Sequence, residues 1–215
     1  MSTSVSRRTW LAAGAGFLGA ALLAVGWLSV VADAAGPTGA QIGSPAPDFT
    51  LTDLSGHSFT LSSLKGKTVV LEWFNPGCPY VQNTHGPGGA LTALPGTATA
   101  SGVVWLAINS GAPGKEGADP AANKTAVADW KMNYPVLIDS NGAVGKSYGA
   151  ATTPHMYVID PTGKLVYRGA IDNKPLGKGD GALVNYVEKA LGDLKAGRPV
   201  ATADTKPYGC SVKYE

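Results

Sequence analysis

The stretch that decides the fold is 68-TVVLEWFNPGCPYV-81. Apart from Glu72, its first seven residues are β-branched or apolar with little alternation, which is typical of a strand covered on both faces of a sheet. Asn75-Pro76-Gly77 then predicts a turn, and Pro79 suits the first position of a helix. The motif therefore predicts that Cys78 stands where a buried strand ends and a helix begins.

The segments on either side of this motif predict a layered α/β domain. A hairpin turn is indicated at Ser55-Gly56, and Asp160-Pro161-Thr162-Gly163 joins the last two strands. Strands that alternate with helices and then close with a hairpin and a helix predict a three-layer α/β/α fold with a mixed central sheet and an N-terminal β-hairpin. Strands are predicted at 50–54, 56–61, 103–108, 136–138, 156–159 and 165–167, and helices at 79–85, 119–134, 141–148 and from Asp180 to just before Gly197.

The overall composition excludes some classes of partner. Charged residues make up 15% of the chain, with 17 basic and 15 acidic side chains, so no basic field for nucleic acid is present. The 29 glycines and 15 prolines indicate many turns around a modest number of elements. The sequence has no phosphate-binding glycine loop with a lysine and no paired-cysteine zinc spacing, so we expect no cofactor.

The first 34 residues differ in character from the rest of the chain. Arg7 and Arg8 precede an uncharged run at 10–31, and Ala32-Asp33-Ala34 offers the small residues that a signal peptidase reads. This pattern resembles a twin-arginine signal peptide over residues 1–34, followed by a linker at 35–42. The alternative is an uncleaved membrane anchor, since 22 uncharged residues can span a bilayer. In both cases we expect the folded part in the periplasm or another extracytoplasmic space, with no membrane contact beyond this segment.

The chain has two cysteines, Cys78 and Cys210. In an oxidising compartment an even pair of cysteines predicts a disulfide. Cys210 lies in a polar tail at 198–215, and roughly 13 residues after Gly197, at about 3.3 Å each, let this tail cross most of the domain. Two interpretations stay open for the pair: a redox-active disulfide or a permanent structural one.

Three motifs together resemble the redoxin branch of the thioredoxin fold, which includes the thiol antioxidant and alkyl hydroperoxide reductase proteins. They are 45-PAPDFTLTDLSG-56, 65-KGKTVVLEWFNPGCP-79 and 148-YGAATTPHMYVIDPTGKLVYRG-169. The similarity covers about residues 43–197, and it implies a thioredoxin-like fold and an antioxidant or thiol-disulfide oxidoreductase activity. The C-terminal 205-TKPYGCSVKY-214 resembles the tail of a subgroup that keeps one cysteine at each of the two places.

The resemblance implies roles for individual residues. Cys78 falls on the family's nucleophilic cysteine, and Thr153-Pro154 falls on the cis-proline that faces it. Glu72, six residues before Cys78, matches the buried acidic residue that carries protons in thioredoxins. A second thiolate is required to release a mixed disulfide, and Cys210 is predicted to supply it because Val81 cannot.

The peroxidase motif of the family is incomplete in this chain. Leu71 and Asn75 stand where peroxidase members have a proline and a threonine or serine, and Pro154 stands where they have an arginine. Arg168 would have to replace that arginine from another strand. The expected partners are a protein or small-molecule disulfide or peroxide as substrate and a thiol as reductant, and the missing residues argue against peroxides.

Elementary chemistry supports these assignments and supplies their alternatives. A cysteine at a helix N-terminus has its thiolate stabilised by free N–H groups and the helix dipole, whereas the alternative for Cys78 is a small buried hydrophobic residue. Burial of Glu72 would disfavour its charged form and suit it to proton transfer, and an ordinary rim carboxylate is the alternative. The substrate-binding surface is expected to comprise Asn75, Pro79, Tyr80, Thr153 and Pro154.

Histidines raise a metal-binding alternative, because copper-handling relatives of this fold pair cysteine with histidine. His85 lies roughly 10 Å from Cys78 along the helix at about 1.5 Å per residue, and is better explained as a helix C-terminal residue that interacts with the dipole. His155 follows the cis-proline on a strand and is expected to point away from it, and His57 is expected to face solvent. We expect no metal, and a copper or thiol chaperone that uses Cys78 and Cys210 is the alternative function.

Overall fold

The computed structural model describes residues 39–215, which belong to one compact unit, Ala35–Glu215. The predicted signal peptide at 1–34 lies outside the described residues, as does the first half of the predicted linker at 35–42. Within residues 39–215, no helix is long and apolar enough to cross a membrane.

A mixed sheet of seven strands forms the centre of the part of the chain that the structure describes. The strands in chain order are β1 (Thr50–Asp53), β2 (Ser58–Thr60), β3 (Val69–Trp73), β4 (Val104–Asn109), β5 (Val136–Ile138), β6 (Thr152–Thr153), β7 (His155–Ile159), β8 (Leu165–Gly169) and β9 (Cys210–Ser211). The large sheet has the order β2-β1-β5-β4-β3-β7-β8, while β6 and β9 form a separate pair. Strands β3, β4 and β5 are parallel and their neighbours antiparallel, so the predicted mixed sheet with its N-terminal hairpin is confirmed.

Strand β3 lies inside this sheet and is buried along its whole length. It pairs in parallel with β4 and antiparallel with β7, so that Glu72 stands between Ala107 and Met156. Alternate side chains enter two separate cores, with Val70 packed on one face and Leu71 on the other. Burial on both faces explains why the sequence of β3 shows almost no polar alternation.

Helices on the two faces of the sheet complete the three layers. Side chains of α1, α2, α3 and α5 enter one core, and Tyr148 of α4 enters the other. Helix α2 was not predicted, because its segment is too short to show a helical period. Within residues 39–215 the helices are α1 (Pro79–His85), α2 (Leu94–Ala100), α3 (Pro120–Asp129), α4 (Ala143–Tyr148) and α5 (Tyr186–Lys195), with single 3-10 turns at Leu61–Leu64 and Pro175–Gly177.

Helix α5 begins at Tyr186, so the predicted start at Asp180 is wrong. Asn185 caps the helix, because its side chain accepts a backbone N–H of the first turn at 3.0 Å. The residues before the cap are held as a loop by Asn173, whose side chain accepts another backbone N–H at 2.8 Å. Leu183, which was predicted to lie on the apolar face of the helix, is consequently 55% exposed.

The C-terminal residues 198–215 pack back onto the domain. Asp204 forms an ion pair with Arg168 of β8 at 2.8 Å, and the hydroxyl of Thr205 is 2.7 Å from that of Tyr167. Further along, β9 pairs antiparallel with β6. The tail therefore runs past β8 and returns to β6, which follows α4 in the chain.

Candidate active site

Cys78 lies at the N-cap of α1, directly after the turn that ends β3. The Asn75 side chain accepts the N–H of Gly77 at 2.8 Å, and the Asn75 carbonyl accepts the N–H of Cys78 at 3.1 Å. Pro79 occupies the first helical position, where it has no N–H to leave unpaired. Cys78 is 0% exposed, so the turn places a fully buried thiol at the N-terminus of α1.

The loop at Thr153-Pro154 forms the second side of the site. The peptide bond between these two residues is cis, and the Cys78 thiol donates to the Thr153 carbonyl at 3.1 Å. The Thr153 hydroxyl is buried and has no hydrogen-bond partner within the described part of the chain. It is therefore available to donate to Cys78 once that thiol loses its proton.

Cys210 completes the site from the C-terminal tail. In the pairing of β6 with β9, Cys210 stands opposite Thr153, whose carbonyl accepts from the Cys78 thiol, and the Cys210 thiol is placed to donate to Cys78 once Cys78 is a thiolate. Gly209 permits this close approach, since its φ is +142° and a β-carbon there would collide with the Thr153 carbonyl oxygen. Both cysteines are free thiols in this structure.

Aromatic side chains hold the tail against the site. The Tyr208 ring packs on Tyr80 of α1, with ring centroids 5.9 Å apart, and the Tyr208 hydroxyl donates to Asp172 at 2.7 Å. Beyond Cys210, the Tyr214 hydroxyl donates to the Ala150 carbonyl at 2.8 Å. Tyr80, which was predicted to line the substrate surface, is thus a contact of the tail.

The two thiols differ in acidity. Burial alone would raise the pKa of Cys78, but hydrogen bonding from Cys210, Thr153 and the N–H of Val81 outweighs it and lowers that pKa. Burial raises the pKa of Cys210 to about 11, and the Cys78 sulfur and the charge of Glu116 act in the same direction. Cys78 is therefore the thiol that ionises first.

Glu72 lies on β3 and is 0% exposed. One carboxylate oxygen is 2.7 Å from Nε2 of His85, and the other accepts from Trp105 Nε1 at 3.2 Å and from the Tyr134 hydroxyl at 3.1 Å. Within residues 39–215 no hydrogen bond joins this carboxylate to either cysteine. Its partners are all core residues, so proton exchange with the thiols would pass through intervening groups.

The three histidines lie in three different surroundings. His85 is the last residue of α1, but its ring reaches Glu72 and stacks on Trp130 with centroids 4.9 Å apart, a contact that the sequence did not indicate. His155 is buried and accepts a backbone N–H on Nδ1 at 3.3 Å, whereas His57 is exposed. No group of three or more His, Cys, Asp or Glu residues that could hold a metal ion is present in the described range 39–215.

Arg168, considered above as a replacement for the peroxide-binding arginine, is taken up by other contacts. Its Nε and Nη2 atoms donate to Asp204 at 3.0 and 2.8 Å, and Nη1 donates to the Ala40 carbonyl at 2.9 Å. The guanidinium thus ties the tail and the segment before β1 to β8.

Two acidic residues at the site were not indicated by the sequence. Glu116, in the loop after β4, accepts from Asn75 Nδ2 at 3.2 Å, and its charge acts on Cys210. Asp172, after β8, accepts from Tyr208. Both lie in irregular loops, where no periodic pattern indicates which residues face the site. The one sequence signal near them is the Tyr-Gly-Cys motif of the tail, since its tyrosine is the partner of Asp172.

This arrangement is suited to thiol exchange between Cys78 and Cys210. It combines a thiol of lowered pKa at a helix N-terminus, a cis-proline loop facing it and a second thiol on the strand that pairs with this loop. The fold and the site together define a thiol-disulfide oxidoreductase of thioredoxin-like fold.

Comparison with known proteins gives the family. Residues 41–183 match the family model described as Redoxin, and the chain belongs to this family. The thiol-disulfide oxidoreductase ResA of Geobacillus kaustophilus (strain HTA426) is 30% identical over 128 residues, which cover 60% of this chain and 68% of that protein. The thiol-disulfide oxidoreductase ResA of Bacillus subtilis (strain 168) is 28% identical over 158 residues, which cover 70% of this chain and 79% of that protein.

A solved structure is similar over most of its length. The crystal structure of an uncharacterized conserved protein from Geobacillus kaustophilus has a TM-score of 0.74 and 30% sequence identity, and the match covers 81% of this chain and 93% of that one. The predicted fold class, family and enzyme class are therefore confirmed.

Proposed function

We propose that this protein reduces disulfides in its substrates, with Cys78 as the nucleophile and Cys210 as the resolving thiol. The observation that carries the proposal is that both cysteines lie on Thr153: the Cys78 thiol donates to the Thr153 carbonyl at 3.1 Å, and Cys210 pairs with Thr153 across β6 and β9. The Gly-Cys tail is proposed to mark a subgroup in which the resolving thiol comes from the C-terminus.

The proposed reaction has two exchange steps. The Cys78 thiolate attacks one sulfur of a substrate disulfide, forms a mixed disulfide and releases the first substrate thiolate. Cys210, as a thiolate, then attacks the Cys78 sulfur and releases the second substrate thiolate. The substrate has gained two electrons, and the protein holds a Cys78–Cys210 disulfide that a dithiol reductant must reduce.

The acidities of the two thiols fit this order of events. Cys78 ionises first because its pKa is lowered. Burial acts to raise this pKa, but the hydrogen bonds from Cys210 and Thr153 lower it by more. Part of what raises the pKa of Cys210 is the Cys78 sulfur itself. Once Cys78 is held in a mixed disulfide that contribution ends, so Cys210 becomes easier to deprotonate when it is required to attack.

The substrate surface is proposed to form when the tail moves. Cys78 is 0% exposed beneath the tail, so a substrate disulfide reaches it only after β9 separates from β6. Separation would uncover the cis-proline loop and the start of α1. The proposed contact residues are Asn75, Pro79, Tyr80, Thr153 and Pro154.

Glu72 is proposed as the buried group that takes up or releases a proton during exchange. Its support is its position on β3 before Cys78 and its 2.7 Å contact with His85 of the same helix that Cys78 caps. Glu72→Gln should change the pH profile of the exchange rate, because the carboxylate is removed while the shape of the side chain is kept. An unchanged profile would remove Glu72 from the mechanism.

Export to an extracytoplasmic space is also proposed. Its support is the twin-arginine-like segment at 1–34 and the even pair of cysteines in the chain. Cell fractionation should find the protein outside the cytoplasm, and the mass of the recovered chain separates a cleaved signal from a retained anchor. Recovery in the cytoplasmic fraction would contradict export.

The deciding experiment is mass spectrometry of the full chain across a redox titration, combined with two variants. We expect a Cys78–Cys210 disulfide that opens within the range of cellular thiol systems, loss of insulin-disulfide reduction in Cys78→Ser, and a trapped substrate adduct on Cys78 in Cys210→Ser. A bond that stays closed down to about −300 mV would instead mark a permanent structural disulfide. Free thiols that never pair would end the proposal.

A further inference from the structure

The two sulfur atoms of the site are not equally open to solvent. Cys78 is 0% exposed and belongs to the apolar core, where it packs with Phe74 and Val81. Cys210 lies at the edge of that core and is partly exposed. Cys78 therefore lies on the inner side of the pair and Cys210 on the outer side.

This order matters because disulfide exchange is directional. A thiolate attacks one sulfur in line with the bond that breaks, from the side opposite the leaving sulfur. Cys78 is 0% exposed among core residues, so a reductant thiolate has no path from solvent to it while the tail is closed. Attack on Cys210 requires approach from the solvent side, and the tail can stay in place.

We propose that electrons enter the oxidised protein through Cys210: the reductant thiolate attacks the tail sulfur, and Cys78 is the leaving group. This inference rests on the proposed function, since it requires the Cys78–Cys210 disulfide. It adds that the two half-reactions use different sulfurs. Substrate disulfides meet Cys78 after the tail opens, and the reductant meets Cys210 while the tail is closed.

The electrons and protons of the step balance. The first thiolate of a dithiol reductant bonds to Cys210, the Cys78–Cys210 bond breaks, and the Cys78 sulfur leaves as a thiolate. The second thiolate of the reductant then attacks its own partner sulfur, which closes the reductant's disulfide and releases Cys210. The reductant loses two electrons, the protein gains them, and solvent supplies the protons of the two protein thiols.

The chemistry of the leaving group favours the same direction. A thiol of lower pKa leaves faster in exchange, and the hydrogen bonds at Cys78 lower its pKa despite its burial, whereas burial raises that of Cys210 to about 11. Attack on Cys210 thus expels the better leaving group. Two charges act on the attacked sulfur, those of Glu116 and Lys213.

The main test uses the oxidised full chain and 2-mercaptoethanol, a small neutral thiol. The chain is first checked by mass for its Cys78–Cys210 disulfide, then exposed briefly to the thiol, quenched in acid, alkylated with N-ethylmaleimide and digested. We expect the mercaptoethanol adduct on Cys210 and the maleimide on Cys78, in about tenfold excess over the reverse pattern. The same protein unfolded in guanidinium should give both adducts in similar amounts.

A second measurement does not require the adduct to accumulate. The overall rate of reduction of the Cys78–Cys210 disulfide is measured with anionic glutathione and with neutral 2-mercaptoethanol, in the parent protein and in charge variants. The first rate is then divided by the second. If Cys210 is attacked, Lys213→Gln should lower this ratio by about two- to threefold, because the Lys213 charge acts on Cys210. Lys195→Gln, at the end of α5, is the matched control and should leave the ratio unchanged.

The outcomes separate this inference from the proposed function. If no Cys78–Cys210 disulfide forms, the proposed function fails and this inference fails with it. If the disulfide forms but the adduct is found mainly on Cys78, or Lys213→Gln leaves the rate ratio unchanged, electrons enter at Cys78 and this inference alone is overturned.

Discussion

Single residues around Cys78 set its reactivity. The thiol is fully buried, and burial by itself would disfavour its anion. The pKa of Cys78 is lowered despite this burial by three hydrogen-bond donors: the thiol of Cys210, the side chain of Thr153 and the backbone N–H of Val81. The acidity of Cys78 therefore depends on the tail as well as on its own helix.

The first prediction concerns this dependence. In reduced Cys210→Ala the S–H donor is lost, so the pKa of Cys78 should rise from its lowered value toward the ordinary 9.0. Cys210→Ser keeps a hydroxyl donor and should show a smaller rise. The measurement is the ultraviolet absorbance of the thiolate as a function of pH, with Cys78→Ser reporting Cys210 alone. Identical titrations of the Ala and Ser variants would show that the donor is unimportant.

The second prediction concerns Glu72. Its carboxylate is fully buried and holds His85, Trp105 and Tyr134, so Glu72→Ala leaves three buried polar groups without their partner. We expect a loss of about 3 to 5 kcal/mol in the free energy of unfolding, the size found when one member of a buried pair is removed. Denaturant unfolding measures it.

Glu188→Ala is the matched control, because Glu188 is an exposed carboxylate on α5. It should cost at most about 0.5 kcal/mol. Equal losses in the two variants would mean that the buried contacts of Glu72 contribute nothing specific.

Among the elements, the short pair of β6 and β9 decides whether the site is open or closed. Each strand has two residues, so the pairing is weak by itself and relies on side-chain contacts on either side of it. The contacts of Tyr208 with Tyr80 and Asp172 lie before β9, and that of Tyr214 with Ala150 lies after it. Such an element is suited to separate locally without unfolding the domain.

The third prediction opens this element. Gly209→Ala places a β-carbon against the Thr153 carbonyl at a φ of +142°, so β9 should separate from β6. In the reduced protein, alkylation of Cys78 by iodoacetamide should accelerate by about tenfold or more, since the thiol becomes reachable without a rare opening. Peptide mapping with mass spectrometry measures this rate.

Gly181→Ala provides the control for backbone strain. Gly181 also has a positive φ, +77°, but a β-carbon there meets nothing within 4 Å. Its Cys78 alkylation rate should equal that of the parent. Acceleration in both variants would point to general destabilisation, and acceleration in neither would show that the tail does not limit access.

At the scale of the whole molecule, the site joins a cysteine from the first half of the folded unit to a cysteine in the C-terminal tail. Cys78 follows the third strand of the sheet, and Cys210 lies near the end of the chain, past β8 and α5. The tail brings them together because two of its residues, Asp204 and Thr205, bind side chains of β8 and so hold the tail along its path. A bond between the two sulfurs would therefore close most of the domain into one loop.

The fourth prediction follows from this closure. A disulfide across about 130 residues should stabilise the oxidised protein by about 4 to 5 kcal/mol relative to the reduced one, because the cross-link restricts the unfolded chain. Guanidinium unfolding under oxidising and reducing conditions measures the difference. Cys210→Ser should unfold alike under both conditions. If the parent protein also unfolds alike under both conditions, strain in the folded disulfide form would cancel the stabilisation expected from the cross-link.

The sequence predicted the parts of this fold that local rules control. The apolar run of β3, the Asn-Pro-Gly turn and Pro79 are read within one stretch of chain, and they place Cys78 correctly at the start of α1. The start of α5 was missed because a polar contact of Asn173 holds the preceding loop against the helical pattern. The partner of His85 was missed because Glu72 is thirteen positions away on another element.

By itself, the sequence determined the mixed sheet, the family and the position of Cys78 at a helix N-terminus, because hydrophobic period and turn chemistry act over a few residues. Only the tertiary structure decided that Cys210 meets Cys78, that Gly209 allows the contact, and that the tail sulfur is the outer one of the pair. The physical reason is that exposure and long-range pairing depend on what the rest of the folded chain covers, which no local pattern contains.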